Sequence, residues 1–324
     1  MKFINKVSWI ILKSYLSIVI YLPNSFNKFL SSFITTIITP LFKKNYYIAK
    51  LNIILCFKKS ISPKQQNALV KQSINFSLSS AKIIYSYLMQ KNLTLFDKIE
   101  LINKEIFNEV IKKNGKTIIV SAHLGIFPII PLYLTYKKYN INVIIKLPHN
   151  NHMKSFIIHH MQNNNIGIIP ASPEINCYKK IIESFKNNSS VMFMLDQTPT
   201  DKQSYSITKF FGWNTMTYHT ILKLSKELQL PITPIFTSCN PNNKQKPYTI
   251  YFYQLIQPSS ADDALSSLNK ILEDLILKFP EQWWWFHKRW KNLLEYNSTF
   301  YKLATKNPDL FFTFLNEKNC EQLI

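Results

Sequence analysis

Two polar residues stand where strand-like apolar runs end, and both can do chemistry. His123 follows the run KTIIVSA, with Gly125 two positions on, and Asp196 follows SVMFML. In open α/β sheets ligands collect beyond the carboxyl ends of the strands, so side chains at those exits face substrate. An imidazole titrates near neutral pH and can take the proton of an attacking hydroxyl. Gly125 lets backbone and substrate approach closely in the turn that follows. Each residue also has a plain reading. A lone histidine is often structural, and Asp196, taken by itself, reads first as a turn or helix cap.

The elements that must hold these residues are visible as a change of pattern along the chain. Ser62-Pro63-Lys64-Gln65 is a helix start: Ser62 caps, Pro63 fits the first helical position and Gln65 reaches back, with the helix continuing to Leu88. Beyond it, short apolar runs of strand length occur at 117–120, 143–145, 166–169, 191–195 and 232–236. Helix-length segments at 153–161, 178–185 and 218–228 separate them. Strands alternating with helices predict an α/β fold, a mixed and largely parallel sheet covered by helices. A further strand at 248–255, antiparallel or at an edge, and a last long helix at 261–278 complete the expectation.

Composition narrows the partners. Lys and Arg number 39 against 18 Asp and Glu, a formal charge of +21, which suits an anionic partner. No helix-turn-helix, zinc-finger or RNP-type motif accompanies the charge, so nucleic acid is not expected. Cys56, Cys177, Cys239 and Cys320 are scattered, with no metal spacing; free thiols and no cofactor are expected. Near the N-terminus, VSWIILKSYLSIVIYL at 7–22 is apolar apart from Lys13, Ser and Tyr, and a second apolar stretch at 29–42 is broken by Pro40. Lysines flank the first run on both sides: Lys2 and Lys6 before it, Lys28, Lys43 and Lys44 after it. Residues 1–42 are therefore expected to anchor the chain in a membrane, spanning it or lying in its interface, ahead of a single domain at 43–324.

Four blocks, in order, resemble the bacterial late lipid A acyltransferases (HtrB-like lauroyl and myristoyl transferases of the lysophospholipid acyltransferase superfamily). Asn52-Ile53-Ile54-Leu55-Cys56-Phe57 is similar to that family's NLxLCFP segment, and His123-Leu124-Gly125-Ile126-Phe127 to its HFGNW opening. Leu195-Asp196-Gln197 with Lys209-Phe210-Phe211-Gly212 resembles its DQ…FFG region. The run Pro280-Glu281-Gln282-Trp283-Trp284-Trp285-Phe286-His287-Lys288-Arg289-Trp290-Lys291 resembles its PEQWxWxHxRWK signature. The resemblance implies an inner-membrane enzyme with one N-terminal anchor and its catalytic domain on the cytoplasmic side. It further implies acyl carrier protein thioester as donor and a lipid A precursor as acceptor.

It also implies roles. His123 would be the general base of an HxxxxD/E dyad, the carboxylate fixing the tautomer and stabilising the imidazolium. Lys146 stands at the family's basic position after the next strand, usually Arg, and with Asp196 and Arg289 it is expected to meet substrate. The chain departs at Pro128, five residues after His123, where no carboxylate is present. Asp196 is an acid that could replace it. Pro131 is expected to remove a hydrogen bond from the following helix. The Trp283–Trp290 cluster reads equally as core or as lining of an acyl channel and membrane interface, with Lys288, Arg289 and Lys291 toward phosphates. Two functions follow: an active acyltransferase, or a catalytically eroded homologue that binds anionic lipid or carrier protein without turnover.

Overall fold

The computed structural model describes residues 2–58, 60–199, 205–291, 299–308 and 311–312. The first half runs α1 (Lys2–Val19), α2 (Asn24–Leu41), α3 (Lys43–Phe57), α4 (Pro63–Gln90), α5 (Thr94–Asp97), β1 (Ile99–Ile102), α6 (Lys104–Asn114), β2 (Ile118–Ser121), α7 (Ile129–Tyr136), β3 (Ile141–Ile145) and α8 (Asn151–Asn163). The second runs β4 (Ile166–Pro170), α9 (Glu174–Lys186), β5 (Ser190–Met194), β6 (Tyr205–Phe210), β7 (Trp213–Tyr218), α10 (Thr220–Leu228), β8 (Ile232–Cys239), β9 (Tyr248–Phe252), α11 (Ala264–Lys278) and α12 (Thr299–Lys306). The chain forms two units, one of Met1–Asn27, Ser79–Met194 and Ile221–Ala261, the other of Lys28–Leu78, Leu195–Thr220 and Asp262–Ile324.

The first unit holds a seven-stranded sheet in the order β1-β9-β8-β2-β5-β3-β4. Every neighbouring pair is parallel except β8 and β9. This is the α/β fold expected from the alternating runs. The strand β2 is the middle of seven, and all four of its residues are buried, as a strand covered on both faces must be. Its register sets Ser121 opposite Met194 of β5, so two adjacent parallel strands end level with each other. The expected strand near 250 is β9, antiparallel to β8; the edge beyond it is β1, only four residues interrupted by Glu100 and too short to stand out from sequence.

In the second unit the expected capping box opens α4. Ser62 N–H donates to Gln65 Oε1 at 2.7 Å and Gln65 N–H to Ser62 Oγ at 3.3 Å, with Pro63 opening α4. β6 and β7 form an antiparallel hairpin. Its two-residue loop, Phe211 and Gly212, has φ of 52° and 81°, the mirror-image turn that matches strand twist. The last expected helix is α11, entered through a 3₁₀ segment at Pro258–Asp263. A further helix, α12, packs on α3. Residues 313–324, the end of the expected 43–324 domain, lie outside the described residues.

The expectation that residues 1–42 span a membrane is not supported. Among the described residues no helix is long and apolar enough to cross one. α1 has 18 residues, about 27 Å at 1.5 Å per residue, and carries Lys13 within it. Instead α1 packs on the first unit: Trp9 meets Phe156 of α8 at 5.2 Å between ring centroids, and Ser17 and Tyr85 hydroxyls lie 2.9 Å apart.

Candidate active site

In the first unit, β2 delivers His123 two residues past its last member. The turn is fixed by Gly125, at φ +61°, whose missing Cβ would meet the Thr237 carbonyl oxygen at 2.5 Å and its Oγ1 at 2.7 Å. Thr237 Oγ1 donates to the Leu124 carbonyl at 2.8 Å, tying the turn to β8. Leu124 and Ile126 are buried on either side of the glycine. Buried neighbours and an interstrand hydrogen bond thus leave one geometry for the segment, and His123 rests half-buried with its ring edge-on to Phe127 at 4.7 Å. Lys146 directly follows β3 and is exposed, a cation on the same unit.

Pro128 caps α7 with φ −66° and ψ −13°. It is an ordinary helix start, so the residue at the dyad position is built into the fold without strain. The expected cost at Pro131 does not arise. Pro131 is the third residue of α7, among the first four positions whose N–H groups have no intrahelical acceptor anyway.

The second unit holds the other two expected residues. Asp196, two positions beyond β5, is completely buried, and its Oδ2 accepts a hydrogen bond from Trp283 Nε1 at 3.0 Å. His287, half-buried, brings a ring nitrogen within 4.8 Å of an Asp196 carboxylate oxygen. Arg289, expected to meet substrate phosphates, is instead interior. Its Nη1 donates to the Met216 carbonyl and its Nη2 to Thr217 Oγ1, both at 2.8 Å, and Phe210 lies under the guanidinium at 5.3 Å. Burial pushes its pKa down to about 10, with Asp196 and Tyr301 acting in the opposite direction. Of the tryptophans, Trp283, Trp285 and Trp290 are core and only Trp284 is exposed. His287 lies inside the quoted tryptophan-rich signature, but nothing in the sequence says that its ring and Asp196, 91 positions apart, come together.

A family profile described as bacterial lipid A biosynthesis acyltransferase matches residues 3–292. The chain belongs to that family. No curated protein matches it. In this acyltransferase the matched region ends just after the Trp283–Lys291 segment, which follows a 3₁₀ turn at Pro280–Gln282 and contains no helix or strand. Side chains hold it instead. Asn52 of α3 donates to the carbonyls of Trp285 and His287, both at 2.6 Å, and Thr198 Oγ1 donates to those of Lys288 and Arg289 at 3.1 and 2.9 Å. Tyr301 of α12, outside the matched region, accepts from Trp290 N–H at 3.2 Å and donates to Asn52 Oδ1 at 2.6 Å. Burial pushes the Tyr301 phenol far above its ordinary pKa, so it stays a neutral donor. Lys288, by contrast, is pushed down by partial burial and by Lys44 and Lys291, three cations that leave this face of the unit positive.

Proposed function

We propose that this family member transfers a fatty acyl chain from an acyl carrier protein thioester to a hydroxyl of a lipid A precursor. His123 takes the hydroxyl proton as the oxygen attacks the thioester carbonyl. The observation that carries the reading is the acyltransferase family match over nearly the whole chain. The placement of His123 at the exit of the middle strand supports it. Because Pro128 offers no carboxylate, Asp196 is the acid we assign to the machinery, with Lys146 and the Lys288 face toward the anionic substrates. That assignment rests on Asp196 being retained in the family's DQ block and on its burial, where a carboxylate without a task is costly.

The reading places the enzyme on the inner membrane, lying on the bilayer rather than crossing it. α2 supports this by being inverted: Ser31 and Thr35 are buried, Thr35 donating to Asn75 of α4 at 2.5 Å, while Phe26, Phe29, Phe33 and Ile37 form an exposed stripe at spacings of three, four and four. On α1, Ile10, Ile11 and Ile18 are likewise exposed. Pro128 favours a second reading, an eroded homologue that binds without turnover. One assay separates them: transfer from acyl carrier protein donors to tetra-acylated lipid A precursor by wild type and His123→Ala. Turnover by wild type and loss in the variant supports the enzyme. Tight binding of both substrates with no product supports the eroded homologue.

A further inference from the structure

The helix α7 begins just after the His123 turn, and its other end borders a cavity of about 230 Å³ in the first unit, shared with α6 and β9. Floor and rim of this cavity differ in chemistry. The floor is buried and aromatic: Phe107 of α6, Tyr133 of α7 and Phe252 of β9. Phe107 ties it together, meeting Tyr139 edge-on at 5.1 Å and Phe252 at 5.7 Å between ring centroids. The rim is exposed and polar, with Lys104 and Asn108 of α6 and Lys137 just past α7. The Lys137 ammonium lies 5.7 Å from the Tyr133 ring centroid, against the cavity wall. Tyr139 Oη donates to Asn108 Oδ1 at 2.8 Å, so the N–H₂ is the end of that amide able to meet an anion. The eight lining residues include two lysines and no acid.

We propose that this cavity binds a small anion with a flat apolar body, of the aryl phosphate class, with the ring on the aromatic floor and the anion at the rim with Lys104 and Lys137. Small-molecule sites are mostly apolar concavities with a few polar groups that fix orientation, and here the polar groups all stand on one side. Aromatic walls take a ring through edge-to-face and offset contacts that an aliphatic chain does not make. Size points the same way. Cavities for drug-sized ligands run from about 300 Å³ upward, so this one suits a single ring and its substituent rather than a long acyl chain. Because the rim is exposed, each lysine contributes modestly and salt weakens it; most of the binding comes from the buried ring. None of the residues assigned to acyl transfer lines the cavity. The site is therefore an additional one, and binding there does not depend on turnover.

Fluorine NMR of 4-fluorophenyl phosphate, titrated with the whole chain, tests this. The expected dissociation constant is about 1 mM or tighter. Phosphate without the ring, used as a competitor, should bind about tenfold more weakly or worse, and 4-fluorophenol, which lacks the anion, should also lose about tenfold. The double variant Lys104→Gln with Lys137→Gln should lose about tenfold, and Asn108→Trp, which fills the mouth with a bulky side chain, should abolish binding. The double variant Lys113→Gln with Lys138→Gln removes two nearby cations that do not line the cavity and should bind as wild type does. All five substituted side chains are exposed, so the fold should survive each change, and melting temperatures check it. Inorganic phosphate competing as well as the aryl phosphate itself overturns the proposal, since a positive surface alone would do that. Undiminished binding by Asn108→Trp overturns it too, as does an equal loss in the two lysine pairs. Equal binding of 4-fluorophenol would reduce the cavity to an apolar hollow and count against the anion, and no binding by wild type at about 1 mM ends the proposal outright.

Discussion

Arg289 is the only arginine in a chain that otherwise uses lysine for every basic position. Its environment explains the exception. Two nitrogens of one planar fork donate in different directions, to the Met216 carbonyl and Thr217 Oγ1, while the flat face lies over Phe210. An ammonium is a point donor on a flexible stem and cannot do both. Arg289→Lys should therefore cost about 3 kcal/mol of stability, one or two buried charge-assisted bonds, read as a lower denaturant midpoint. Gly125→Ala should be similarly severe for a steric reason, because both φ and the 2.5 Å approach to the Thr237 carbonyl forbid a Cβ; its melting temperature is the measurement. Pro128→Glu tests the site. Removing proline from φ −66° costs about 1 kcal/mol or less, an acidic group is welcome at a helix start, and a carboxylate beside His123 would stabilise the proton it accepts. Turnover should rise about tenfold or more; a fall would mean that the site does not lack this acid. The placement of His123 and Asp196 just beyond strands was legible because each ends an apolar run. The interior position of Arg289 was not, because a charged residue in a Lys-rich signature reads as surface until its partners are known.

At the scale of elements, the parallel strands were readable because burial on both faces makes them continuous runs of Ile, Val and Met. The β6–β7 hairpin was not, and the cause is chemical. Its inward residues include Thr208, Thr215 and Thr217, buried hydroxyls that serve each other, Asn269 and the Arg289 segment, so the apolar alternation that marks a strand is absent. The Trp283–Lys291 segment is the extreme case, since its conformation is written in distant side chains. Asn52 lies more than 230 positions away in sequence from the carbonyls it holds, and Tyr301 closes the arrangement from α12. Tyr301→Phe removes one oxygen and leaves the Trp290 N–H and Asn52 Oδ1 without that buried partner, which should cost about 2 kcal/mol. Tyr46→Phe, whose hydroxyl meets Asn67 at 2.9 Å in a partly exposed setting, is the control and should cost less. Equal effects by chemical denaturation would show that the clasp on the Trp283–Lys291 segment carries no special weight.

At the scale of the molecule the charge is unevenly distributed. The first acidic residue is Asp97, so lysine is the only charged side chain in the 96 residues before it. Those residues include α1 and α2, which present Ile10, Ile11, Ile18, Phe26, Phe29, Phe33 and Ile37 to their surroundings. Water does not reward a helix that buries Ser31 and Thr35 and exposes phenylalanine; a bilayer interface does, and anionic headgroups add attraction for each lysine nearby. On the proposed membrane-surface reading, two separable forces hold the protein on lipid. Replacing Phe29, Phe33 and Ile37 together with serine removes apolar side chains worth roughly 1.5–3 kcal/mol each when fully buried, and these are only partly immersed. The loss in vesicle partitioning should still reach about 100-fold, on anionic and neutral vesicles alike, and should persist at high salt. Replacing Lys43 and Lys44 with glutamine should weaken binding to anionic vesicles only, by about 1 kcal/mol per charge, and the difference should vanish as salt screens it. Co-sedimentation with phosphatidylglycerol and phosphatidylcholine vesicles, at low and high salt, measures both. If the serine triple variant sediments as wild type does, the inverted face of α2 is not what meets the membrane, and the lysines alone would have to account for the attachment.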